Sequence, residues 1–147
     1  MEVSRIRALR GPNLWSRHTA IEAIISCSES ERAISNIPGF EARLRERFPE
    51  IALLQPSVSS EIVSMAHALE YATLGLQAQA GCPVTFSRTA QTLESGIYQV
   101  IVEYSEEAVG RLALELAEQL CIAASDDTPF DLTSALHRLR EVDEDVR

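Results

Sequence analysis

Lysine is absent. All 13 Lys and Arg positions in the 147 residues are Arg, set against 22 Asp and Glu, which gives a formal net charge of −9. An acidic balance of this size argues against a nucleic-acid partner. No apolar run approaches the ~20 residues that span a bilayer, so no membrane role is expected. The first residues lack the apolar core of a secretory signal, which makes the cytoplasm the expected location. Three cysteines, Cys27, Cys82 and Cys121, are widely spaced, with no CxxC and no Cys/His pair. They predict buried free thiols rather than a disulfide framework or a cysteine zinc site. There is no glycine-rich phosphate loop, no GxSxG elbow and no Cys/His metal cluster. Internal repeats and low-complexity tracts are also missing. What remains is one ordinary domain, long enough to bury a core.

The charge that is present is uneven. Arg5, Arg7, Arg10 and Arg17 crowd the start, while Asp126, Asp127, Asp143, Glu144 and Asp145 crowd the end. A basic patch on an acidic protein is therefore expected.

The stretch Gly81–Glu107 organises the chain. Val84 and Phe86 alternate with polar residues up to Thr89. After Gly96, Tyr98, Val100, Val102 and Tyr104 recur at every second residue, with Gln99, Ile101 and Glu103 on the other face. A period of two predicts strands with one face buried. Ser105 is placed to cap a helix that starts at Glu106, and Glu106 and Glu107 suit its positive end. The stretch reads as a hairpin feeding a helix.

Elsewhere, Val3 to Arg10 alternates as a strand and is broken by Gly11-Pro12-Asn13. Thr19 to Cys27 fits either a helix stripe or a strand, and its β-branched residues and short length favour a strand. Ser28 to Ile34 predicts a short helical turn. Pro38, at a first helical turn, is followed by Phe40, Leu44 and Phe48 in a helix that stops at Pro49. Arg43, Arg45, Glu46 and Arg47 form its outer face. Ser59 or Ser60 is expected to cap the longest helix, whose stripe is Ile62, Met65, Ala66, Leu69, Thr73 and Leu76 and whose end lies near Ala80 and Gly81. A helix over Glu106–Ala124 carries Val109, Leu112, Ala113, Leu116 and Leu120. Thr128-Pro129-Phe130-Asp131 reads as a capping box before a last helix that buries Leu132, Leu136 and Leu139. The fold class is α+β: a small, mainly antiparallel four-stranded sheet with helices packed on it and a C-terminal helical segment. The expected division is 1–124 as the α+β core and 125–147 as a C-terminal helix.

Several blocks, in order, carry a resemblance: Leu9-Arg10-Gly11-Pro12-Asn13-Leu14-Trp15-Ser16, then Ile37-Pro38-Gly39-Phe40, then GCPVTFSRT from Gly81 and GIYQVIVEYSEE from Gly96. Together they resemble the N-terminal domain of the cyanophycin synthetases, and the likeness spans most of the chain. It supports the strand reading of Thr19–Cys27. It implies a larger, homo-oligomeric parent with an ATP-grasp domain adding Asp and a Mur-ligase-like domain adding Arg, each using ATP and magnesium. Neither nucleotide-binding motif is in this chain, so no cofactor and no ligase chemistry are expected of these residues. The C-terminal helix would lead towards the ATP-grasp domain. Glu141–Arg147 is charged and ends without a terminating signal, as expected of a chain that continues.

Three roles follow from the resemblance. The first is a tether for cyanophycin, a polymer with a poly-aspartate backbone and arginine on its side chains. An arginine patch can fork onto its carboxylates, and acidic residues can take its guanidiniums. The candidate contacts are Arg5, Arg7, Arg10, Arg17 and Arg88 for the carboxylates and Glu94, Glu103 or Glu107 for the guanidiniums, with Arg5, Arg7, Arg88, Glu94 and Glu103 as the leading set of five. The competing structural reading pairs Arg7 with Glu103 across neighbouring strands and has Arg10 and Arg88 hold loops. Asn13 and Trp15 are expected to fix the turn after the first strand.

The second role is hydrolysis. His67 and Glu70, three apart on one helix face, match the first His and the Glu of an inverted-zincin pattern, H-x-x-E-H, that the resemblance implies for many relatives. There two His bind zinc and the Glu activates water. In this chain Tyr71 stands where the second His would be and Gly75 where a later Glu would be. The glycine-rich loop that precedes the helix in such relatives is replaced by Ser57-Val58-Ser59-Ser60. A single His ligand is too few to retain zinc, so no bound metal is expected. The third role is a structural module that organises the oligomer.

Overall fold

A computed structural model describes residues 1–12, 18–54 and 64–147. Among these residues, four strands form one antiparallel sheet: β1 (Glu2–Leu9), β2 (Ala20–Ser26), β3 (Ser87–Gln91) and β4 (Ile97–Glu103), in the order β1-β2-β4-β3. The described residues also form four helices: α1 (Phe40–Arg47), α2 (Met65–Gln79), α3 (Glu107–Asp126) and α4 (Leu132–Val146). The α+β architecture matches the expectation. Short 3₁₀ turns occupy Glu29–Arg32, Ile34–Asn36 and Pro49–Leu54.

The ambiguous stretch after Thr19 is a strand at the centre of the sheet. Ile21, Ala23 and Ile25 stand opposite Val102, Val100 and Tyr98, and all six are buried. This is the face on which the helices pack. Gly110 of α3 comes so close that an added Cβ would meet Tyr104 Cβ at 2.7 Å and Ile21 Cδ1 at 3.2 Å. Its missing side chain sets the distance between helix and sheet. Helix α2 is buried almost all round, with Met65, Ala66, Leu69, Ala72 and Leu76 fully enclosed. Phe40, Leu44, Phe48, Ile51 and Leu120 extend this core, and Ala135 and Leu139 of α4 belong to the same cluster.

Several boundaries differ from the sequence reading, each for a local reason. Helix α2 starts at Met65, because Ser64 is its cap and accepts from the His67 amide at 3.2 Å. Ser59, Ser60 and Ile62 lie outside the described residues. The longest helix is α3, with 20 residues against 15 for α2. It starts one residue late, with Glu106 rather than Ser105 as its N-cap. Pro38 precedes α1 rather than entering it, and Gly39, at φ +76°, is the N-cap. Strand β3 starts at Ser87, not at Val84. The amide of Val84 is taken by Cys82 O at 2.9 Å and that of Thr85 by the Glu103 side chain at 2.7 Å, so neither joins the ladder. Asp131 itself caps α4, accepting from the Ser134 amide at 2.9 Å. That helix buries Ala135, Leu139 and Asp143, while Leu132 and Leu136 are only partly buried.

Candidate functional site

His67 and Glu70 both lie on α2, where they face the sheet. His67 Nδ1 is 2.7 Å from Ser64 Oγ, and its ring meets that of Tyr98 edge-on, with centroids 6.3 Å apart. Burial pushes the imidazole below its ordinary value. Glu70 is 4% exposed and accepts from Ser87 Oγ at 2.6 Å. Burial pushes its carboxyl up, opposed by the Ser87 hydroxyl and then by Thr89. Each polar group of the pair is thus turned to a partner on the protein: one nitrogen of His67 to a hydroxyl, and Glu70 to the edge strand. Tyr71 supplies no second imidazole. Zinc, which the H-x-x-E-H pattern would hold, does not fit this set of donors. Among the described residues no three His, Cys, Asp or Glu side chains form a group able to hold a metal ion.

The opposite face of the sheet carries charge. Register places Arg7 opposite Glu22, Glu22 opposite Ile101, and Ile101 opposite Arg88, in one row across all four strands. Arg7 Nη2 lies 2.9 Å from Glu22 Oε1, and the Arg7 side chain remains 65% exposed. Gln99 Nε2 donates to the other Glu22 oxygen at 2.8 Å. Arg88 is exposed. Ile101 is buried in the middle of the row. One register step along, Glu103 pairs with Ala20 at the end of the sheet.

The five tether candidates are therefore only partly brought together. Arg7, Arg88 and Glu103 share this face. Glu103 does not pair with Arg7, since β2 lies between their strands. Arg5 sits where the β1–β2 register slips between Ser4 and Arg7, at φ +49°, and is exposed. Such a bulge re-aims the strand's side chains. Glu94 is in the turn between β3 and β4, at the far end of the seven-residue β4 from Glu103, roughly 20 Å away at strand rise. Arg10 forks onto Glu107, with Nε at 2.7 Å and Nη2 at 3.2 Å. This ties the segment after β1 to the first turn of α3. Arg10 and then Arg111 hold the Glu107 carboxyl down at about 2. Arg17, Asn13 and Trp15 lie outside the described residues.

Glu22 and Gln99 were not singled out as candidates in the sequence. The signal was available in the alternation of β2, which turns Glu22 away from Ile21, Ala23 and Ile25. His18, near Glu103, carried no such signal.

Residues 23–125 match the family described as the cyanophycin synthase-like N-terminal domain. A cyanophycin synthetase from Trichormus variabilis is 37% identical over 138 residues, covering 86% of this chain and 15% of the relative. One from Geminocystis herdmanii is 36% identical over 135 residues, covering 82% and 15%. One from Synechocystis is 32% identical over 145 residues, covering 90% and 17%. The chain thus spans about 15% of the length of the first of these relatives.

Proposed function

The chain belongs to the cyanophycin synthase-like N-terminal domain family, and we propose that it holds a growing cyanophycin chain within reach of ligase domains elsewhere in its parent protein. In that parent an ATP-grasp domain adds Asp and a Mur-ligase-like domain adds Arg, each with ATP and magnesium. Tethering raises the effective concentration of a chain end without new chemistry.

The observation that carries this reading is the row Arg7, Glu22, Ile101, Arg88 on the sheet face away from the helices. A polymer that presents carboxylates and guanidiniums at regular spacing needs a receptor with both signs side by side, and this row has them. The hydrolytic alternative loses support, because His67 and Glu70 are committed to Ser64 and Ser87 and no second imidazole stands beside them.

Each exposed charge pair contributes only ~0.2–1 kcal/mol, so several repeats must engage at once. The test is calorimetric titration of the chain with soluble cyanophycin segments of increasing length. Affinity should rise with repeat number and fall with added salt, since exposed contacts are screened over roughly 8–10 Å. Binding that is indifferent to both would overturn the reading.

A further inference from the structure

At the end of the sheet nearest Glu103 lies a cleft of about 480 Å³, lined by Gly11, His18, Thr19, Pro83, Thr85 and Tyr104 with Glu103 and Ser105. Glu103 is 4% exposed, and its two oxygens are treated differently. Oε1 accepts from the Thr85 amide at 2.7 Å and the Phe86 amide at 3.4 Å. Those bonds fix the carboxylate's orientation. Oε2 accepts no hydrogen bond from a described residue. Among the described residues, the His18 ring nitrogen Nε2 lies 3.8 Å from it and is 73% exposed, too far for a hydrogen bond.

We propose that this cleft is a receptor for a single guanidinium group, with Glu103 Oε2 as its anionic partner. A nearly buried carboxylate excludes anions and selects a cation that tolerates desolvation. Guanidinium is more weakly hydrated than an ammonium and presents several donors in one plane. It can reach Oε2 while its remaining N–H groups find the hydroxyls of Thr85 and Ser105, both exposed. An acidic pocket at the edge of a face whose arginines are exposed would seat the arginine side chain of one repeat, while Arg7 and Arg88 meet the aspartate carboxylates. This assignment rests on the tether reading for its natural ligand, though the pocket chemistry stands without it.

The experiment follows the backbone amide resonances of Thr85 and Phe86 during titration with methylguanidinium chloride and, separately, with the β-Asp-Arg dipeptide. Both probes should produce saturable shifts at these amides, and sodium chloride at matched ionic strength should not. Glu103→Gln should weaken dipeptide binding at this site by about tenfold or more, as expected for removing the charged partner of a hydrogen bond. Because Glu103 also holds the Thr85 amide, a second variant is needed. Ser105→Arg, at an exposed position, places a guanidinium beside the cleft and should abolish the shifts while the fold is retained. Absence of saturable shifts in the parent chain, equal shifts with sodium chloride, or undiminished shifts in Ser105→Arg would overturn the site. If the dipeptide shifts Thr85 but long cyanophycin segments bind no better than the dipeptide, the tether fails and the pocket stands. If long segments bind Ser105→Arg and the parent chain equally and no probe shifts Thr85, the pocket fails and the tether stands.

Discussion

Arg7 and Glu22 meet at 2.9 Å across β1 and β2, yet the two side chains live in different surroundings: 65% of Arg7 is exposed and 11% of Glu22. Glu22 is held from its other side by Gln99. The pair therefore should not behave symmetrically. Arg7→Ala strands a largely buried carboxylate with one neutral partner, a cost of ~1–3 kcal/mol. Glu22→Gln leaves an arginine that water can solvate, and should cost less. Urea unfolding of the two single variants checks this, and equal losses would contradict it.

Glu70 should make stability depend on pH. Its folded carboxyl titrates above the ordinary value because it is buried. The folded state therefore binds its proton more tightly than the unfolded state. The contribution is fully present below the unfolded carboxyl range and is lost as pH rises through the folded value. Glu70→Gln removes this loss while keeping an oxygen for Ser87. The melting temperature of the variant relative to the parent chain should rise with pH from about 4 to 7, the range above the ordinary carboxyl value. A difference that does not change with pH would show that Glu70 is not perturbed.

Gly110→Ala should loosen the packing of α3 on the sheet. The new Cβ meets Tyr104 Cβ at 2.7 Å, and neither backbone can yield easily. Overpacking of this kind costs ~1–3 kcal/mol, which lowers the melting temperature of a chain this size by about 2–4 °C per kcal/mol. An unchanged or raised midpoint in a thermal melt would contradict the close approach.

The fold was largely legible because its strands alternate cleanly. Tyr98 to Tyr104 read as one buried face, while Thr19 to Cys27 also fitted a helix stripe and read as a strand only from β-branching and length together with the family resemblance. The errors fall where side chains compete with the backbone. Thr85 looked like strand because its neighbours alternate, but a carboxylate eighteen residues away takes its amide. Ser105 looked like a cap, but the helix starts one residue later. The candidate site was legible residue by residue and not as a constellation. Strand order decides which charges share a row, and no local pattern announces that β2 separates β1 from β4. Glu94 and Glu103 sit on one hairpin in sequence and at opposite ends of it in space.

Under the proposed tether, the sheet face away from the helices binds the Asp-Arg polymer. Calorimetric titration of Arg7→Gln with Arg88→Gln against long cyanophycin segments tests it most directly, with the thermal midpoint as a control on folding. Gln at position 7 keeps a donor for Glu22, so the midpoint should stay within a few degrees. Affinity should fall by about two- to thirtyfold, as expected from removing two exposed charge contacts of ~0.2–1 kcal/mol each, and its salt dependence should flatten. A folded double variant that binds as tightly as the parent chain, with the same response to salt, would contradict the claim.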